Sequence, residues 1–275
     1  MKKRLLLASD FDGTVGVGDQ LQRDRDAIAR FREAGHLFGL VSGRNAAGLR
    51  EMRQKTALPC DFLLSDNGSV CYLPKKRENG QDPFEFEENS PHFDPVCGGK
   101  LLFYHAGAEE LFFPLADFLL ERGSKMVAVN DQKGAELLYL EEGGRIAESI
   151  PRECWVARPF SQMSGLFEHT EDALSAARQG EERFPQLVGL VSDCLDFLPR
   201  GRDKAVGLTQ LARLLGVEKE DVYVVGDNFN DLAMLDAFNS FVVENACDEV
   251  KAHASMGIVP SVGALCELLL EKMEG

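Results

Sequence analysis

The chain has 275 residues, 45 acidic and 30 basic, a formal net charge of −15 and a pI near 4.8. That balance argues against a phosphate-backbone binder, whose affinity comes from clustered Lys and Arg, and points to a small or metal-bound partner. With 44% apolar and 27% charged residues the composition is globular, and the length fits one large domain or two modest ones.

Taken in order, the apolar run at 5–8 follows the basic start Lys2, Lys3 and Arg4, but it is too short for a signal sequence and reads as a buried strand. No stretch approaches the ~20 apolar residues of a membrane span. A helical pattern at 21–34, a strand at 37–41 and a helix at 46–55 follow, which is the rhythm of a parallel sheet with crossover helices. Residues 75–94 are rich in charge, Pro, Gly and Asn, and beyond them a different mixture of helices and strands runs to about Leu190. After Arg202 the first rhythm resumes. A helix carries Leu208, Leu211, Ala212 and Leu215 on one face, a strand covers 222–225, a helix starts near Asn230, a short strand covers 241–243, and a last helix runs through Leu265, Leu268 and Leu269. The expected fold is α/β: a doubly wound, mostly parallel sheet from residues 1–84 and 190–275, with an inserted α/β domain at 85–189. Seven scattered cysteines (Cys60, Cys71, Cys97, Cys154, Cys194, Cys247 and Cys266), never spaced as C-x-x-C, read as free thiols of a reducing cytoplasm.

Four strand-end or helix-start motifs carry chemistry. The first strand runs into Asp10-Phe11-Asp12-Gly13-Thr14. Residues two apart in an extended chain share a face, so both carboxylates begin by pointing into one crevice at the carboxyl end of the strand, where like charges need a cation. A helix-capping and a turn aspartate fit the same residues. In Ser42-Gly43-Arg44 a hydroxyl and a glycine precede a helix, an arrangement that binds an anionic oxygen or simply caps the helix through Ser42. Lys204 opens the Leu208 helix, where a cation is unfavourable unless anions face it. The strand at 222–225 ends in Gly226-Asp227-Asn228-Phe229-Asn230-Asp231, hard oxygen ligands that suit Mg²⁺ if this strand neighbours the first; a turn before an Asp-capped helix is the plainer reading.

In this order D-x-D-G-T, S-G-R, a helical Lys and G-D-N-x-N-D resemble the motif set of the haloacid dehalogenase superfamily of aspartate-nucleophile phosphatases. Ser65-Asp66-Asn67-Gly68-Ser69 and Val243-Glu244-Asn245-Ala246 are similar to segments of its Cof-like branch, while Lys204-Ala205 stands where relatives usually have Lys-Gly. Between Asp12 and Ser42 there is no room for an inserted domain; the long interval from Ser42 to Lys204 implies the large α/β cap of that branch. The resemblance implies a Mg²⁺-dependent phosphatase of small phosphate monoesters, sugar phosphates among them. Asp10 would be the nucleophile and Asp12 the acid and base, with Ser42 and Lys204 holding phosphoryl oxygens. Asp10, the Asp12 carbonyl and Asp227 would hold the metal, with Asp231 binding or supporting it, and Gly43, Arg44 and Asn230 would lie near the substrate. The expected partner is a small phosphorylated metabolite, neither nucleic acid nor membrane. Lys125, Lys133, Arg152 and Arg158 are cap candidates for an anionic leaving group, though each also fits a solvated surface charge. A phosphotransferase such as a sugar phosphomutase would use the same phospho-aspartate, and a receiver-like regulatory module is a third reading.

Overall fold

The structure, a computed structural model, describes residues 4–74, 93–94, 99–131, 134–141 and 150–274. The chain divides into two compact units, Met1–Phe103 with Asp203–Gly275 and, inserted between them, Tyr104–Arg202. The first unit opens with strand β1 (Leu6–Ser9), helix α1 (Asp19–Glu33), β2 (Leu37–Val41), α2 (Ala46–Thr56), β3 (Phe62–Ser65), β4 (Val70–Pro74), β5 (Phe93–Asp94) and β6 (Gly99–Tyr104). The second unit contributes α3 (Phe112–Glu121), β7 (Met126–Asp131), β8 (Gly134–Leu140), β9 (Gln162–Leu166), α4 (Thr170–Arg183), β10 (Leu187–Val191) and β11 (Leu195–Pro199). The chain then re-enters the first unit through α5 (Lys204–Leu214), β12 (Val222–Gly226), α6 (Leu232–Ala237), β13 (Asn239–Val243), α7 (Asp248–Lys251), β14 (Gly257–Val259) and α8 (Val262–Glu274).

The first unit is built on one sheet of order β14-β13-β12-β1-β2-β3-β4-β6-β5, parallel from β14 to β3 and antiparallel at β3–β4 and β5–β6. Side-chain alternation along β1 sorts the two layers around it. Leu5 and Leu7 pack with Ile28 and Phe31 of α1 and Leu265 and Leu269 of α8, whereas Leu6 and Ala8 face Leu208 and Leu211 of α5 and Met234 and Leu235 of α6. A strand covered on both faces has to be an unbroken apolar run, which is how β1, β2 and β12 read in the sequence. The chain moves outward from β1 through β2 and β3, then restarts at β12 and moves outward on the other side. Strand order therefore reverses between β1 and β12, and the carboxyl edge at such a reversal is where open α/β sheets take ligands.

The second unit holds an antiparallel sheet of order β10-β11-β9-β7-β8. Leu115 and Leu119 of α3 and Ala173 and Ala177 of α4 pack on one of its faces with Val127, Val129, Met163 and Phe197. Its limits differ from the expected 85–189. β6 extends the first unit's sheet, which moves the start to Tyr104, and β11 pairs with β9 and in turn with β10, which moves the end to Arg202. Apolar strands look alike in either sheet, so composition does not assign them. The charged segment at 75–94 lies outside the described residues except for Phe93–Asp94, and so do Cys97 and Lys133. The six described cysteines are all unpaired. Among the described residues no helix is long and apolar enough to cross a membrane.

Candidate active site

Register creates the site. Ser9 of β1 lies beside Val225 of β12 on one side and Leu40 of β2 on the other, so Asp10, Asp227 and Ser42 leave neighbouring strands at the same edge. The Asp10 amide still donates to the Val225 carbonyl at 2.9 Å.

Lys204 is the centre of the polar cluster. Its side chain has no solvent exposure, and Nζ donates to Asp10 Oδ1 at 2.7 Å and to Asp231 Oδ1 at 2.6 Å. The Asp203 side chain caps α5 by accepting from the Val206 amide at 2.8 Å, which sets Lys204 in the first turn. There the two acids offset the unfavourable meeting of a cation with a helix N-terminus. The other oxygen of Asp231 accepts from the Asp227 and Asn228 amides at 3.0 and 3.1 Å, so one carboxylate steadies both the lysine and the turn bearing Asp227. Thr14 donates to Asp227 Oδ1 at 2.7 Å. Gly13 has φ +83°, and a Cβ there would fall 2.2 Å from Asp227 Oδ2, so both backbone angle and space require glycine.

Asp10, Asp227 and Asp231 bring carboxylate oxygens within 4.8 Å of one another. Three acids against one ammonium leave surplus negative charge. Burial, the largest influence, pushes Asp10 up to about 8 against the pull of Lys204, and Asp231 and Asp227 push the same way. Burial also raises Asp227, with the Thr14 hydrogen bond opposing and Asp231 reinforcing. For Lys204 burial disfavours the charge, but Asp10 and Asp231 outweigh it and hold the ammonium above its ordinary value. An all-oxygen donor set with excess negative charge fits a small hard divalent cation.

Asp12 lies outside that cluster. Its half-exposed carboxylate is gripped by Arg44, Nε to Oδ2 at 2.6 Å and Nη2 to Oδ1 at 2.7 Å, a bidentate pair. Ser42 is buried and does not cap α2; Asn45 does, accepting from the Gly48 amide at 2.8 Å, while Ser42 Oγ accepts from the Arg44 amide at 3.1 Å. After β12 the cap is Asn228 with Asp231 rather than Asp227. Asn230 Nδ2 donates to Asn67 Oδ1 at 3.5 Å, and a Cβ on Gly43 would come within 3.2 Å of Asn67 Nδ2. In the second unit Lys125 pairs with Glu168, Arg152 with Asp117, and Arg158 with Asp131 and Glu136, so each described candidate there already has an acidic partner.

Sequence reasoning assigned no role to Thr14, Asn67 or Asn245, whose Nδ2 donates to the Gly13 carbonyl at 2.8 Å. Asn67 and Asn245 follow β3 and β13, at the same edge of the sheet as the acids. A search for polar side chains just past every parallel strand would have found both.

The model of the haloacid dehalogenase-like hydrolases matches residues 7–262. The chain is 34% identical over 265 residues to the 5-amino-6-(5-phospho-D-ribitylamino)uracil phosphatase YwtE of Bacillus subtilis (strain 168), covering 90% of this chain and 91% of that protein. It is 25% identical to the pyridoxal phosphate phosphatase YbhA of Escherichia coli (strain K12), covering 92% of each. The fold is shared with a solved phosphatase of the haloalkanoate superfamily from Bacteroides thetaiotaomicron, at TM-score 0.74 and 19% identity over 98% of this chain and 95% of that one. A family match that begins in β1 and runs across the insertion into α8 joins the two flanks bearing the acids and the lysine into one inherited unit, and on that ground the chain belongs to the haloacid dehalogenase-like hydrolases, in their Cof-type branch of phosphatases, and is a phosphoric monoester hydrolase.

Proposed function

We propose that the enzyme is a Mg²⁺-dependent phosphatase of small phosphorylated metabolites that works through an aspartyl-phosphate on Asp10. The observation that carries the proposal is the fully buried Lys204 held between Asp10 and Asp231 at the reversal point of the sheet. Asp10 attacks phosphorus, and the bond from phosphorus to the leaving oxygen breaks as Asp12 gives that oxygen a proton. Asp12 then takes a proton from the water that attacks the aspartyl-phosphate, the phosphorus–oxygen bond to Asp10 breaks, and inorganic phosphate leaves. Arg44 holds both Asp12 oxygens, which makes it both a tether for the acid and a candidate contact for the incoming anion. Ser42 and Lys204 hold phosphoryl oxygens as charge redistributes.

Asp10, Asp227 and the Asp12 carbonyl are the proposed metal ligands. Asp231, whose oxygens already serve Lys204 and two backbone amides, supports them. Bound Mg²⁺ supplies positive charge that offsets repulsion between a carboxylate nucleophile and an anionic phosphoryl group. The second unit is the proposed cap that selects the leaving group, and the unpaired cysteines support a reducing, cytoplasmic setting. Relatives named for pyridoxal phosphate and for a phosphoribityl-aminouracil support a small phosphorylated metabolite as substrate class. The test is a panel of phosphate monoesters with Mg²⁺, read as released phosphate alongside mass spectrometry of the phospho-enzyme. Isomerisation without release would make the protein a mutase, a long-lived phospho-aspartate without turnover would make it a regulatory module, and turnover by Asp10→Asn would remove the nucleophile assignment.

A further inference from the structure

Three consecutive residues past β3 take left-handed backbone angles, Asp66 at φ 50°, Asn67 at φ 48° and Gly68 at φ 94°, and two of them are not glycine. Strain of this kind persists only where the surroundings over-determine it, and it gathers at functional sites. Here the surroundings are the phosphoryl-handling elements themselves. The Asp66 amide donates to the Arg44 carbonyl at 2.9 Å and the Asn67 amide to the Ser42 carbonyl at 3.0 Å, which laces the turn to both ends of Ser42-Gly43-Arg44. The Asn67 side chain is fully buried, close against Gly43 on one side and accepting from Asn230 on the other. A Cβ on Gly68 would fall 2.3 Å from the Asp203 carbonyl oxygen, so the same turn bears on the start of the helix that carries Lys204.

Backbone angle alone does not explain the residue at 67. Glycine takes a positive φ with no Cβ penalty, whereas asparagine adds a carboxamide, and this carboxamide fills the space between two motifs. We infer that Asn67 is a positioning residue for phosphoryl transfer, its side chain setting the spacing between the Ser42–Arg44 loop and the turn that bears Asp227 and Asn230. The inference rests on the phosphatase mechanism proposed above.

Asn67→Gly tests it by keeping the left-handed turn and the amide bond to Ser42 while removing only the carboxamide. With Mg²⁺ and p-nitrophenyl phosphate, kcat should fall about tenfold or more, because sub-ångström misplacement of reacting groups is costly. The dissociation constant for tungstate, an unreactive oxyanion, should rise, and the melting temperature should stay close to wild type. Gly43→Ala should cost less activity in the Asn67→Gly background than alone, since the group it would press on is gone. Unchanged kcat and tungstate affinity in Asn67→Gly, equal Gly43→Ala losses in both backgrounds, or an Asn67→Gly protein that fails to fold would each overturn the inference. Asp10→Asn run alongside separates the two readings: a wild type that does not hydrolyse the ester, or an Asp10→Asn protein that does, removes the mechanism, while tungstate binding still reports on Asn67.

Discussion

Lys204 Nζ lies 2.7 Å from Asp10 Oδ1 across 194 positions of sequence, and both side chains are buried. A lysine without solvent contact is tolerated only when paired acids replace its water, so this contact binds the chemistry to the assembly of the sheet.

Lys204→Met should therefore damage both activity and stability. It leaves Asp10 and Asp231 facing each other in a buried site, and removing one partner of a buried ion pair costs about 3–5 kcal/mol. Thermal melts should shift downward. A variant that melts like wild type at neutral pH would mean that water reaches the pair.

Asp10 gives stability a pH dependence of opposite sign to that of an ordinary salt-bridged acid. Its ordinary value of 3.8 is pushed up to about 8 by burial, despite Lys204. Well below 3.8 it is neutral in folded and unfolded chains alike; as pH rises the unfolded chain releases the proton first, and folding loses stability until about pH 8. In EDTA, Asp10→Asn should consequently melt above wild type at alkaline pH, with the gap closing in acid. Mg²⁺ should raise the wild-type melting temperature by more than that of the variant. Calorimetric scans across this range check both signs.

Activity should vanish in excess EDTA and return with Mg²⁺, while Ca²⁺, with its larger and looser coordination shell, should restore little. Asp227→Asn should raise the Mg²⁺ concentration required, and Gly13→Ala should do the same indirectly, because its Cβ would displace the Asp227 carboxylate. Metal titrations of initial rate distinguish these from a loss of fold.

The two carboxylates of Asp10-Phe11-Asp12 should separate kinetically. Asp10→Asn should form no phospho-enzyme from any ester. Asp12→Asn keeps the nucleophile but lacks the proton donor, so it should still be phosphorylated by p-nitrophenyl phosphate, whose leaving group hardly needs a proton, and fail with a sugar phosphate. Rapid mixing should reveal a stoichiometric burst of nitrophenol followed by slow turnover. Equal slowing with both esters and no burst would make Asp12 a structural residue.

Gly207→Ala inverts a general expectation. Alanine inside a helix is normally favoured over glycine by about 1 kcal/mol. Here the new Cβ would lie 2.3 Å from the Gly68 carbonyl oxygen, so α5 would have to move away from the turn after β3 and carry Lys204 with it. Both melting temperature and kcat should fall, read by circular dichroism and ester hydrolysis.

The flanks of the chain were legible because a strand buried on both faces is written as an uninterrupted apolar run, and the runs of β1, β2 and β12 stop abruptly at small or charged residues. The carboxyl edge of the sheet followed from those stops. β14, three residues long, carries too little pattern to stand out. Lys204 reads as surface in its own neighbourhood, and what buries it is acids contributed by β1 and by the turn after β12. The limits of the insertion were displaced for a related reason, since β10 and β11 are apolar runs like those of the core and are assigned to the second unit only by their pairing, β10 with β11 and β11 with β9.

The place of β1 between β2 and β12 also sets a condition on biosynthesis. As the chain emerges from the ribosome, Leu6–Ser9 can find β2 at once, but β12 at Val222–Gly226 is translated only after the whole second unit. At about 5–20 residues per second, one side of this buried strand stays open for on the order of ten seconds or more, with unpaired backbone groups that invite another chain. The second unit has all its strands once Pro199 is out, so it can fold while its host waits. Nascent chains interrupted within it should be chaperone clients that aggregate, and slowing translation before Val222 should lower the yield of enzyme without altering the activity of the molecules that complete.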